Sequence, residues 1–289
     1  MRPARKPKKS LGQYILKCHW VVSTLVKTAE VGPEDMILEI GPGTGVLTRA
    51  LAKHAKKVIA VEKDERLAEE LKNCFKKEEI KNVEIITGDI LHVLGDVLRV
   101  LGLALDTSQA KPRTRGYKVV SNIPYYLTSR LLRLLLENEP RPESIVLTIQ
   151  KEVAERIVAK PPKMNLLALS VQVFGTPKII KRVPATCFSP KPKIESAIIK
   201  ISDISDTLFR EHTIDPKVFF GIAGAAFSQK RKILTNNLTK LGLKKTDIIN
   251  ALVQSGIKKT RAEEFSKEDW IKLVKTWYPP TSIIQNQTF

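Results

Sequence analysis

The chain has 289 residues, 43% of them hydrophobic, enough for one large or two modest domains around an apolar core. Lys and Arg number 49 against 30 Asp and Glu, a formal charge of +19 that argues for a polyanionic partner, RNA or DNA. The longest apolar runs, 144–149 and 194–201, are too short to cross a bilayer, and Cys18, Cys74 and Cys187 are odd in number and scattered. No membrane span, zinc site or disulfide framework is therefore expected, and a reducing compartment, the cytoplasm, is.

The N-terminal arm carries Arg2, Arg5, Lys6, Lys8 and Lys9 but also Pro3 and Pro7, which suits phosphate contact and excludes an amphipathic transit helix. From Met36 the pattern alternates. A strand over 36–40 leads through a glycine-rich turn, 41–45, into a helix over 46–54 with Leu47 and Leu51 inward. A second strand, 57–61, precedes an amphipathic helix N-capped by Asp64, with Leu67, Leu71 and Phe75 on one face. The third strand, 83–87, ends at Gly88-Asp89. A long connection follows, polar and turn-rich over 106–116, where an exposed loop is expected. Further strands are predicted over 117–120 and 144–150 and helices over 129–137 and 152–159, the last stopped by Pro161-Pro162. Two late strands, 171–180 and 194–201, fit an antiparallel edge. After Asp203 the apolar spacing is helical only, over 216–228, 229–241, 246–254 and 267–276. The expected fold is α/β: a Rossmann-like, doubly wound, mostly parallel sheet with an antiparallel edge over 1–204, and a small helical domain with its tail over 205–289.

The chemistry gathers at strand ends. Asn122-Ile123-Pro124-Tyr125 follows the apolar strand 117–120 directly. An exocyclic base amine is a poor nucleophile, because its lone pair is delocalised into the ring. Alkylating it takes acceptors for the amine hydrogens and a surface that holds the base flat. The Asn122 carbonyl, a backbone carbonyl freed by Pro124 and the Tyr125 face supply these in four residues. Upstream, Glu39-Ile40-Gly41-Pro42-Gly43-Thr44-Gly45 closes a strand and opens a helix, so that backbone can approach a ligand closely; its spacing departs from the dinucleotide fingerprint. Glu62, ending the second strand, can accept both ribose hydroxyl hydrogens of a nucleoside, and Asp89, ending the third, an adenine amino hydrogen. Singly, each also suits a helix cap or turn. In register they line the crevice where open α/β sheets bind ligands. His19, His54, His92 and His212 show no metal-ligand spacing, and no metal is expected.

Together these motifs resemble the class I S-adenosylmethionine methyltransferases, and in detail the rRNA adenine N6-dimethyltransferases of the KsgA type. The likeness runs through 9–13, 38–45, Glu62, 88–89, 122–125, 150–156, 169–171, 188–193, Ala226-Phe227 and Arg231-Lys232, in order along most of the chain. It implies S-adenosylmethionine as cofactor, bordered by Leu16, Glu39, Gly41, Gly43, Gly45, Glu62, Asp89 and Asn122. It implies catalytic roles for Asn122, Ile123, Pro124 and Tyr125, and a base contact from Phe188. Lys230, Arg231 and Lys232 are candidate phosphate contacts. The implied substrate is a pair of neighbouring adenines near the 3′ end of small-subunit rRNA in a maturing subunit, modified by a monomer away from any membrane. Two departures stand out: Tyr14 replaces the family's Asn in Gly-Gln-Asn-Phe-Leu, and Leu166-Leu167 replaces Tyr-Gly. Two other readings are a large-subunit rRNA methyltransferase of the erythromycin-resistance type and a non-catalytic RNA-binding assembly factor.

Overall fold

The computed structural model describes residues 14–103, 116–229 and 232–277. The basic arm, Lys230, Arg231 and nearly all of the polar stretch at 106–116 lie outside the described residues. In chain order the strands are β1 (Ile15–Leu16), β2 (Met36–Ile40), β3 (Lys57–Glu62), β4 (Val83–Thr87), β5 (Tyr117–Asn122), β6 (Ser144–Gln150), β7 (Thr176–Val183), β8 (Phe188–Ser189) and β9 (Ser196–Ser202). The helices are α1 (His19–Thr28), α2 (Val46–Ala52), α3 (Glu65–Lys77), α4 (Ile90–Val100), α5 (Thr128–Glu137), α6 (Lys151–Ile157), α7 (Leu166–Gln172), α8 (Thr207–His212), α9 (Pro216–Phe227), α10 (Leu234–Leu238), α11 (Lys245–Gln254) and α12 (Lys267–Trp277).

Seven strands form one sheet in the order β4-β3-β2-β5-β6-β9-β7. The pairs from β4 to β6 are parallel, and β9 runs antiparallel to both β6 and β7, so the mostly parallel sheet with an antiparallel edge is as expected. Helices cover both faces of a parallel sheet, which is why its strands read as unbroken apolar runs: Val58, Ile59 and Ala60 on β3 and Ile145, Val146 and Leu147 on β6 are wholly buried. Strand order reverses between β2 and its neighbours β3 and β5. A doubly wound sheet opens a crevice at the carboxyl ends of the strands at such a switch point.

The chain divides into two compact units, one holding the described residues up to Glu155 together with Thr176–Ile204, the other Arg156–Gly175 together with the residues from Ser205 onward. This moves one segment, 156–175, out of the first domain as drawn from the sequence. The reason is aromatic: Phe174 packs its ring 5.2 Å from Phe209 and 6.0 Å from Phe220, and the Met164 N–H donates to the Glu263 carbonyl.

Three other expectations are corrected. The strand predicted over 171–180 begins only at Thr176, because Asn165 caps a buried helix, α7, by accepting the Ala168 N–H; a short apolar run does not distinguish strand from buried helix. Among the described residues of the helix predicted over 229–241, only α10 and a 3-10 turn, Thr239–Leu241, are helical. Cys18 and Cys187, read as unpaired thiols, are joined by a disulfide, with Cα atoms 5.0 Å apart; Cys74 is free and exposed. Their separation of 169 residues hid the pairing. The structure closes it by laying β1 antiparallel against β8, Leu16 opposite Phe188.

Candidate functional site

The glycine turn is built by backbone geometry. Gly41, Gly43 and Gly45 have φ of 70°, 57° and 75°, the left-handed region that L side chains avoid. At Gly45 a Cβ would also meet Leu71 Cδ2 at 2.7 Å and Phe75 Cζ at 2.9 Å, so α2 can start against α3 only from glycine. Gly41 is tied to β3 by its N–H donating to the Val61 carbonyl at 2.8 Å, which holds the turn at the strand ends.

Two carboxyls stand beneath this turn. Glu62, 5% exposed, accepts the Gly43 N–H at 3.2 Å through Oε2 and the Asp64 N–H at 2.9 Å through Oε1. Burial raises its pKa above the ordinary carboxylate range, the two N–H donors opposing the rise. Glu39, 1% exposed at the end of β2, is pushed up to about 8 chiefly by burial, with Glu62 adding to the rise. Glu39 Oε2 and Thr48 Oγ1 have no hydrogen-bond partner among the described residues, an uncommon state for buried polar atoms. At the next strand end Asp89 caps α4 by accepting the Leu91 N–H, and its Oδ2 accepts from Lys63 Nζ at 2.8 Å. Burial works against the charged form of Asp89, but Lys63 and the Leu91 N–H outweigh it and hold the pKa below the ordinary value.

On the other side of the switch point, β5 ends at Asn122, in register with Thr148 of β6. Asn122 Nδ2 donates to the Tyr14 carbonyl at 3.4 Å, which leaves its Oδ1 free of that contact. Ile123 is buried and Pro124 brings no N–H. The Tyr125 hydroxyl lies 2.7 Å from Ser196 Oγ, and its ring lies 5.2 Å from that of Tyr14, tilted by 31°. Burial raises the Tyr125 pKa, the Ser196 hydrogen bond opposing.

Most of these groups border one cavity of about 290 Å³; Gly45, Thr48, Phe75, Leu91, Thr148 and Ser196 do not. Leu16, Glu39, Gly41, Gly43, Glu62 and Asp89 line it together with Asn122, Ile123, Pro124, Tyr125 and Phe188. Gly45 turns the chain behind it. Lys232 is exposed in the helical unit. Tyr14, Lys63 and Tyr126, which sequence reasoning had not placed in a site, also line the cavity. The signal for Lys63 was its place directly after the last residue of a buried strand; Tyr126 extends the Asn-Ile-Pro-Tyr run by one more aromatic.

The family model for "Ribosomal RNA adenine dimethylase" matches residues 4–277. The chain belongs to that family. Among its relatives are "Ribosomal RNA small subunit methyltransferase A" of Dehalococcoides mccartyi, 41% identical over 93% of this chain and 87% of the relative, and the protein of the same name from Moorella thermoacetica, 37% identical over 93% and 92%. A dimethyladenosine transferase from Plasmodium falciparum superposes with a TM-score of 0.72 at 25% identity, over 90% of this chain and 95% of the other. The 23S rRNA methyltransferase ErmE superposes at 0.64 with 22% identity, over 91% and 99%, which shows a shared fold. Within this dimethylase family the cavity of the present chain takes a local form: where the sequence departs at Tyr14, the Tyr14 backbone carbonyl engages Asn122 and the Tyr14 ring covers part of Tyr125.

Proposed function

We propose that this chain uses S-adenosylmethionine to dimethylate N6 of two adjacent adenines near the 3′ end of small-subunit rRNA, acting as a monomer on a maturing subunit in the cytoplasm. The observation that carries the reading is the single cavity at the switch point, bordered on one side by nucleoside-type acceptors and on the other by Asn122–Tyr125. The cytoplasmic assignment follows from the substrate; the Cys18–Cys187 bond would be open to reduction there.

The residues present fit the cofactor. The left-handed glycine turn lets backbone approach it closely, and Glu39 Oε2 is a buried acceptor still without a partner. Glu62 would accept the ribose hydroxyls and Asp89 the adenine amino group, while Leu16 and the glycine turn would border the methionine portion. When bound, the cofactor supplies an electrophilic methyl group. Asn122 Oδ1 would accept an amine hydrogen of the target adenine, because its Nδ2 is committed to Tyr14 and fixes the amide's direction. The Ile123 carbonyl would accept the second. A neutral acceptor suffices, since an amine sheds its proton readily once alkylated. Tyr125 would hold the flipped base by stacking and Phe188 would contact it, each stack contributing about 1–3 kcal/mol.

Mass spectrometry of unmodified ribosomal subunits incubated with the protein and labelled cofactor tests the reading. The expected product is two adjacent dimethyladenines in small-subunit rRNA. Label confined to large-subunit rRNA would transfer the chain to the erythromycin-resistance type. No label, with no heat of cofactor binding to folded protein, would leave a non-catalytic RNA-binding factor.

A further inference from the structure

We propose that Ser196 is a positioning residue for the reaction, holding the base-facing ring of Tyr125 by its hydroxyl. The inference rests on the functional reading above and adds to it a residue outside every motif that suggested it. Tyr125 stands at the start of a 3-10 turn, Tyr125–Leu127, not on a strand; its carbonyl accepts from Thr128 Oγ1 and the Thr128 N–H, and the Leu127 N–H donates to the Pro124 carbonyl before it. Those bonds do not fix the side chain, which has two torsions of its own and lines the cavity. A stacking platform that swings through even part of that freedom would present the base to the Asn122 carbonyl at varying heights.

The far end of the ring is fixed from another element. Ser196 opens β9, is wholly buried, and is clamped on both sides, opposite Gln150 of β6 and Val183 of β7. The preceding residue is anchored too, with the Glu195 carbonyl accepting the Lys151 N–H at 3.0 Å. A serine seated between two hydrogen-bonded neighbours has little room to move, so its Oγ, 2.7 Å from the Tyr125 hydroxyl, is a rigid reference point. With the Tyr14 ring against Tyr125 at 5.2 Å, the phenol is held at its edge and at part of one face before any base enters. A held ring costs no ordering at the moment of reaction, which is how such a contact raises turnover without touching substrate.

A double-mutant cycle with full-length protein tests this. Ser196→Ala and Tyr125→Phe each delete one end of the hydrogen bond and keep the ring. Each should lower kcat about five- to tenfold with cofactor affinity as in wild type and a Tm lower by about a few degrees, since one buried hydroxyl loses its partner, and the double variant should lose no more turnover than either single one. Ser196→Thr, which retains the hydroxyl, should recover most of the loss. Tyrosines labelled with ¹³C at Cζ give a readout independent of turnover: the Tyr125 signal, identified by its disappearance in Tyr125→Phe, should move in Ser196→Ala. Losses that multiply in the double variant, or a Cζ signal unmoved by Ser196→Ala, overturn the proposal. Wild-type protein that methylates no RNA defeats the functional reading instead, and the Cζ signal still decides whether Ser196 holds Tyr125.

Discussion

At the level of single residues the cavity separates two jobs, and substitutions should separate them too. On the proposed function Asn122 faces the reacting amine, so Asn122→Ala is expected to lower kcat by roughly a hundredfold or more while cofactor affinity by calorimetry stays within about twofold. Turnover equal to wild type would remove Asn122 from the chemistry. Glu62, which accepts the Gly43 and Asp64 N–H groups and is proposed to hold the ribose, should behave the opposite way: Glu62→Ala should weaken cofactor binding by roughly 10–100-fold, the value of hydrogen bonds to a charged group. An unchanged affinity would reject the ribose assignment. Glu39 adds a pH dependence. Its carboxyl, lifted from 4.5 to about 8 by burial, binds its proton more tightly in the folded protein than in the unfolded chain. That stabilisation is complete below about 4.5 and fades as the pH climbs through about 8, by no more than ~1.4 kcal/mol per unit. Glu39→Gln, neutral throughout, should match wild type in thermal melts near pH 4.5 and exceed it by a widening margin up to pH 8.5, both without cofactor. Parallel curves would mean that the Glu39 carboxyl, though buried, does not hold its proton more tightly in the folded protein.

Elements were legible in the sequence in proportion to how local their causes are. The sheet strands β2 to β6 could be read because an apolar run between glycine or proline punctuation is decided within a few residues. The strand-end residues Glu62, Asp89 and Asn122 could be read with them, since the end of a run places the residue. What escaped was decided at long range or by a cap. Asn165 turned an apolar stretch into α7; β1 and α1, short and lying before the first recognised strand, drew no assignment; Ser196 acquires its contact only through the register of β9. The Cys18–Cys187 bond belongs to this second class, and it staples β1, whose Leu16 lines the cavity, to β8, whose Phe188 does the same. Closing so long a loop restricts the unfolded chain, and reduction should cost about 2–5 kcal/mol of stability. Urea unfolding with and without dithiothreitol should show that loss, and Cys18→Ser/Cys187→Ser should be insensitive to the reductant. A wild-type midpoint unmoved by reduction would show that pairing of β1 with β8 suffices by itself.

For the whole molecule the decisive quantity is charge. An excess of 49 basic over 30 acidic side chains makes the chain repel itself unless a polyanion neutralises it, and the cavity, lined by Glu39, Glu62 and Asp89, is not where that neutralisation occurs. Affinity for RNA should then come mainly from phosphate contacts outside the cavity, and such contacts release counterions as they form. The logarithm of the association constant should fall linearly with the logarithm of salt concentration, by about 0.7 per phosphate contacted on single-stranded RNA. Six to ten contacts would weaken binding by roughly three hundredfold to ten-thousandfold between 50 and 200 mM salt. Lys230, Arg231 and Lys232 are the candidates to remove first. Replacing all three by Ala should reduce the slope by about two and weaken every RNA alike, because phosphate contacts carry no base information. Cofactor binding, proposed to lie among carboxyls and glycine backbone, should not respond. A triple variant with the wild-type slope would shift the RNA-binding surface away from this segment, and a wild-type affinity flat in salt would dismiss phosphate neutralisation as the source of binding.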